Sequence, residues 1–302
     1  MGTPEFSVPA LDSLIRNGYP IVAVVTGPDK PRGRGRSVTP TPVKEVALRH
    51  SLPVLQPESL KDPAFHAALG ALSPDLIIVV AFRILPKEIF TLPPLGAFNL
   101  HASLLPKYRG AAPINWAIIN GETRTGVTTF FLEEKVDTGG ILLQAEVPIS
   151  PGDDAGSLHD KLALVGAEIV LDTVRVIEEG KCRPKAQDPT LASPAPKIYK
   201  EDCRIRWDRP AERIRDLIRG LSPSPGAFTV YNGKVLKIFR SVLALEGSAT
   251  LPGELQVSPK SLHVSTADGQ LAIQDLQLEG RKRMTVEEFL RGHHPKTGEK
   301  FE

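Results

Sequence analysis

The chain of 302 residues is 41% hydrophobic and 24% charged with a formal net charge of +2, which excludes a disordered or fibrous chain and fits one large or two ordinary globular domains. Its two cysteines exclude a disulfide framework and suit a reducing cytoplasm, and its longest strongly apolar run, 76–82, is far too short to span a bilayer. The charge is uneven: residues 1–180 carry 16 Lys and Arg against 20 Asp and Glu, whereas residues 181–302 carry 21 against 15, a basic balance that suits a polyanionic partner.

No basic segment followed by an apolar one opens the chain, so no secretory leader is expected. After the turn-like Gly2-Thr3-Pro4, the residues Val8, Leu11, Leu14 and Ile15 share one helical face that stops at Gly18. A β-branched strand follows over 21–26, then a helix over 43–50, a strand at 54–55, a helix over 64–72 and an apolar strand over 76–81. Strands alternating with helices predict βαβ units in a mostly parallel, Rossmann-like sheet. A strand over 97–100 comes next, and from Thr125 two strands, 126–132 and 141–149, flank a polar loop before a long amphipathic helix over 157–179. These elements predict an α/β domain over 1–180. Four prolines between 184 and 196 predict a linker over 181–203. Beyond it, over 204–302, lie a short helix at 211–220, five short strands with an Asn232-Gly233 hairpin turn, and a final helix at 286–291 before a polar tail. Five antiparallel strands in a basic module predict a small β-barrel of the oligonucleotide-binding (OB) kind.

The chemistry is expected in 98–110. Asn99 and His101, two apart on a strand, project from one face, and an amide beside an imidazole can stabilise an oxyanion and move a proton. Asp137, in the loop Lys135-Val136-Asp137-Thr138-Gly139-Gly140, could fix the tautomer of His101 if the two meet, although a turn Asp bonding its own backbone is the commoner use of such a loop. Lys30, Arg32, Arg34 and Arg36 form a glycine-spaced cationic run without an acid, able to follow a phosphate backbone or simply to be solvated. The run Gly33-Arg34-Gly35 fails as a dinucleotide fingerprint because Val38 stands at the third glycine. No histidine or cysteine cluster has zinc spacing, and no nucleophile elbow is present.

Asn99-x-His101-x-Ser103-Leu104-Leu105-Pro106, followed by Arg109-Gly110 and later Asp137-x-Gly139, resembles the 10-formyltetrahydrofolate-dependent formyltransferases. Gly2-Thr3-Pro4-Glu5-Phe6, Pro28-Asp29-Lys30-Pro31, Pro40-x-Pro42-Val43-Lys44 and Arg109-Gly110-Ala111-Ala112-Pro113-Ile114 narrow the resemblance to the branch acting on initiator methionyl-tRNA, and it runs through the whole chain. The resemblance implies a Rossmann-like formyltransferase domain, an OB-like tRNA-binding domain, and transfer of a formyl group from the co-substrate 10-formyltetrahydrofolate to the methionyl α-amine. It implies Asn99, His101 and Asp137 as catalytic residues, with no metal. Ser103, Leu104, Leu105 and Pro106, with Phe82, Arg83 and Ile84, are implied to line the folate pocket, and Lys30, Arg32, Arg34 and Arg36 to meet tRNA. A cytoplasmic monomer without a membrane partner is expected. A transformylase of small amines would share the Asn–His–Asp set without the cationic run or basic module.

Two departures from the family pattern carry expectations of their own. Family members place a strand directly before Gly-Thr-Pro, so a gap in the sheet, with poor solubility or weak activity, is expected here. The stretch Ala81-Phe82-Arg83-Ile84-Leu85-Pro86 is about one residue shorter than the family's, which is expected to alter the folate-side loop.

Overall fold

The structure, a computed structural model, describes residues 1–32, 37–244 and 251–302. It divides into two compact units. Unit 1 comprises 1–110, 124–148 and 159–195; unit 2 comprises 111–123, 149–158 and 196–302. Among the described residues no helix is long and apolar enough to cross a membrane.

In unit 1 the strand Val24–Val25 pairs in parallel with Val54–Leu55, and Ile77–Val80 pairs in parallel with Ala97–His101. The adjacent valines of the first strand point to opposite faces. Val24 packs with Val43 and Ala47 of the helix Pro42–Arg49, while Val25 packs with Phe65 and Leu69 of the helix Pro63–Ala71. Helices therefore cover both faces, which is why these strands read as unbroken apolar runs. Ala97–His101 then pairs antiparallel with Arg124–Phe131, and that strand with Ile141–Pro148. The sheet is thus parallel through Ile77–Val80 and Ala97–His101 and turns antiparallel at Arg124–Phe131, which only a short loop separates from Ile141–Pro148.

The sheet is divided between Val24–Val25 and Ile77–Val80, which belong to separate ladders. Met1 and Gly2 bridge the division: Gly2 donates its N–H to Val25 O (3.0 Å) and Val80 donates to Met1 O (2.9 Å). Behind this bridge lies an apolar groove of about 240 Å³, lined among others by Ile21, Val22, Leu76, Ile78 and Val80.

The stretch 181–203, expected as a plain linker, makes ordered contacts within unit 1. Lys185 exchanges two backbone hydrogen bonds with Ile141 (both 2.8 Å), and Pro194–Ala195 pairs in parallel with Arg109–Gly110.

Unit 2 holds a six-stranded antiparallel sheet in the order Ala227–Tyr231, Lys234–Leu243, Gln270–Leu278, Leu262–Ser265, Leu255–Val257, with Met284–Thr285 also on Gln270–Leu278. Its buried face packs with Ile214 and Ile218 of the helix Ala211–Gly220 and with Phe289 of the helix Val286–His293. The expected closed barrel is not formed by strand pairing: among the described residues no ladder joins the edges Ala227–Tyr231 and Leu255–Val257. Instead, the tail expected to be solvated reaches both edges. Glu302 and Val230 exchange backbone hydrogen bonds, while Leu255 donates to Glu299 O (2.8 Å) and Phe301 to Gly253 O (2.9 Å). Phe301, only 3% exposed, rests against Trp207 and Tyr231. Burial of its side chain holds the tail where polarity alone would leave it in water.

Tyr231 donates its hydroxyl to Glu299 Oε2 (2.8 Å), and burial, then Glu299, push its pKa up to about 12 from 10.0. A phenol whose folded pKa is raised stabilises the fold fully below the unfolded value and loses that contribution as pH climbs through the folded one. The urea midpoint is therefore expected to fall more steeply between pH 10 and 12 in the wild type than in Tyr231→Phe. Parallel profiles would contradict the assignment.

Candidate active site

Asn99 and His101 lie on one face of the strand Ala97–His101, while Phe98 (0% exposed) and Leu100 (3%) fill the other. The apolar face anchors the strand; the other face carries the Asn99 amide and the His101 imidazole. His101 is buried, and its Nε2 lies 2.8 Å from Tyr108 O. A carbonyl only accepts, so the neutral imidazole carries its proton on Nε2. Its Nδ1 lies 3.9 Å from Asp137 Oδ2, with both side chains largely buried. That separation is too long for a hydrogen bond but within the reach of an ion pair. The tautomer of neutral His101 is thus set by Tyr108, where the sequence pointed to Asp137.

Asp137 is placed by its surroundings. Its backbone has φ +56°, its Oδ2 accepts from Gly110 N (2.9 Å), and its loop is tied to the strand ends by Gly139. A Cβ on Gly139 would stand 1.7 Å from Phe131 O. Gly110 has φ +126°, and a Cβ there would stand 2.5 Å from Ala195 O. Ser193 fixes the same turn, accepting from Tyr108 N at Oγ (2.9 Å) and from Arg109 N at its carbonyl (2.9 Å). The two glycines of the sequence motif therefore allow close backbone approach that brings the Asp137 carboxylate to His101.

Ser103, Leu104, Leu105 and Pro106 continue the strand into a turn held from within. Thr128 Oγ1 donates to Ser103 O (2.6 Å) and accepts from Leu105 N (3.1 Å), while Gln144 Nε2 donates to Leu105 O (2.9 Å). Thr128 and Gln144 went unnoticed in the sequence because they look like ordinary strand residues. A hint was Thr128 and Thr129 set in the otherwise apolar run 127–132. Val80 is in register with Leu100, so the segments after both strands leave the same end of the sheet. Phe82, Arg83 and Ile84 lie there. Arg83 is committed, donating to Pro57 O (2.8 Å) and Glu58 O (2.9 Å) with its guanidinium 5.2 Å from the Phe82 ring centroid, whereas Ile84 is 74% exposed.

Of the cationic run, Lys30 begins a hairpin in which Lys30–Arg32 pairs antiparallel with Ser37–Thr39. Arg32 contributes backbone to that ladder, and Arg34 and Arg36 lie outside the described residues. The hairpin base is a network: Lys44 Nζ donates to Asp29 Oδ2 (2.5 Å) and Gln56 Oε1 (2.7 Å), and Gln56 Nε2 donates to Asp29 Oδ1 and Gly27 O (both 2.8 Å). The Lys44 hydrogen bond, then that of Gln56, holds the Asp29 carboxyl below the usual carboxylate range.

Residues 1–174 match the family model described as formyl transferase, and residues 197–294 match the formyl transferase C-terminal domain. The chain belongs to the formyl transferase family. Similar formyl transferases include proteins named methionyl-tRNA formyltransferase from Syntrophus aciditrophicus, 51% identical over 99% of this chain and 96% of that relative, and from Caldanaerobacter subterraneus, 50% identical over 97% and 96%. Among solved structures, the N-formyltransferase of Helicobacter canadensis, in complex with folinic acid and dTDP-3-aminofucose, covers 94% of this chain and 97% of its own at TM-score 0.68 and 21% identity. HypX of Aquifex aeolicus, in complex with tetrahydrofolic acid, covers 84% of this formyl transferase and 46% of its own chain at TM-score 0.62 and 21% identity. At such identity these structures share the fold.

Proposed function

We propose that the chain transfers the formyl group of 10-formyltetrahydrofolate to the α-amine of methionine on initiator tRNA. The observation that carries this reading is the match, about 51% identical over nearly the full length, to proteins named for that reaction. The facing of His101 by Asp137 on the Asn99 strand supports the chemistry. The methionyl amine attacks the formyl carbon, and charge grows on the formyl oxygen, where the Asn99 amide and protonated His101 stabilise it. The C–N10 bond then breaks, with the electron pair and a proton from His101 going to the folate nitrogen. Asp137 stabilises the imidazolium and receives the amine's proton through water. The substrate amine is the nucleophile, so no covalent enzyme intermediate forms.

Ser103–Pro106 and 82–84 form the folate side, with Arg83 acting by shaping the 57–58 segment. Lys30, Arg32, Arg34 and Arg36 meet the acceptor stem, and the second unit acts as an OB-like module along the tRNA body, as part of a cytoplasmic monomer. The test is initial rate with 10-formyltetrahydrofolate and either methionylated initiator tRNA or small amines such as amino sugars. Formylation of the small amine alone would overturn the reading. Arg34→Ala is expected to weaken the productive tRNA complex and lower its salt slope by about 1, as one lost phosphate contact does. An unchanged slope would remove Arg34 from the interface.

A further inference from the structure

Gln187 sits in the Pro-rich stretch that sequence reading treats as a passive connection. Its segment is anchored on both sides, by the Lys185–Ile141 bridge before it and by Ser193 and Pro194–Ala195 after it. The Gln187 side chain uses both ends. Its Nε2 donates to the backbone carbonyls of Asp137 (3.0 Å) and Gly139 (2.9 Å), and its Oε1 accepts from Arg109 Nη2 (2.6 Å) and Nε (3.2 Å). Arg109 precedes Gly110, whose N–H holds the Asp137 carboxylate. These contacts close a ring: Arg109 orients the Gln187 amide, the amide holds the backbone on either side of Thr138, and Gly110 holds the carboxylate. The ring acts where the backbone is least willing, because Asp137 has φ +56°, a region that non-glycine residues enter at a cost.

We propose that Gln187 is a positioning residue for formyl transfer, clamping the Asp137 loop so that the carboxylate stays against His101. The inference rests on the reading of Asp137 and His101 as catalytic. An amide is suited to the task because it donates to two carbonyls and accepts from a cation at once; neither a carboxylate nor an amine can do both.

Two variants separate positioning from folding. Gln187→Ala removes both functions. Gln187→Glu keeps an acceptor for Arg109 but cannot donate to the Asp137 and Gly139 carbonyls. Both are measured for thermal midpoint, and for kcat and KM with 10-formyltetrahydrofolate and methionylated initiator tRNA, in wild-type and Asp137→Ala backgrounds. Gln187→Glu is expected to keep a near-wild-type midpoint, lower kcat about tenfold, and leave both KM values within about twofold, since both ends of the amide are committed to protein groups. In the Asp137→Ala background the kcat effect should vanish, because coupled residues are non-additive. Wild-type kcat in both Gln187 variants, or an equal loss in the two backgrounds, would overturn the proposal. If Asp137→Ala alone leaves kcat unchanged, the reading of the catalytic pair fails instead.

Discussion

His101→Ala is expected to lower kcat by roughly two to four orders of magnitude, the range that a positioned proton-transfer group contributes, while the tRNA dissociation constant stays within about twofold. The first expectation follows from the position of the imidazole. It is buried, shares a face with Asn99, and has Asp137 Oδ2 3.9 Å from Nδ1 to compensate a proton taken up during transfer. The second follows from the burial itself, which leaves a macromolecular substrate little of His101 to touch. Removing the ring also removes the Nε2 hydrogen bond to the Tyr108 carbonyl, which costs on the order of 0.5–1.5 kcal/mol, so the variant should melt earlier yet remain folded. Rates are to be read under saturating substrates and normalised to folded protein. Turnover within a factor of about three of wild type would remove His101 from the chemistry.

Gly139→Ala is expected to cost about 1–3 kcal/mol of stability, the usual range for an extra methyl forced into packed structure, and about a hundredfold in kcat. With the new Cβ 1.7 Å from Phe131 O, neither partner is a flexible side chain that could swing aside. The loop must move, carrying away the carbonyl that Gln187 holds and, two residues earlier, Asp137. A displacement near 1 Å at a catalytic group is enough for a loss of that size. Gly152→Ala is the control: nothing lies within 4 Å of its Cβ position, so midpoint and kcat should stay at wild type. Chemical denaturation and steady-state kinetics measure both effects. A Gly139→Ala enzyme as stable and active as the Gly152→Ala one would show that the loop has freedom the geometry denies it.

The sequence by itself determined the local elements and the chemically able residues. The apolar run at 76–81 reads as a strand covered on both faces because nothing polar interrupts it, and Ile77–Val80 is that strand; of the β-branched run at 21–26 only Val24–Val25 pairs, and Val22 is 44% exposed. The spacing of Asn99 and His101 put them on one face before any tertiary contact was known, because strand side chains alternate. The closely spaced motif residues from Asn99 to Gly110 and from Asp137 to Gly140 carried the family and, through it, the reaction.

Only the tertiary structure decided what meets what. That Asp137 reaches His101 depends on backbone approaches at Gly110 and Gly139, which have no periodicity to betray them. The proton on neutral His101 is placed by the Tyr108 carbonyl, a group every residue possesses and no sequence pattern marks. Gln187 looked like filler among prolines because its four hydrogen bonds go to backbone carbonyls and to an arginine 78 residues away. The tail strapped across the sheet of unit 2 followed the same rule: one buried ring, Phe301, outweighed the polarity of its neighbours. Residue types set which reactions were possible; long-range backbone contacts, invisible to local pattern, set which of them the fold can perform.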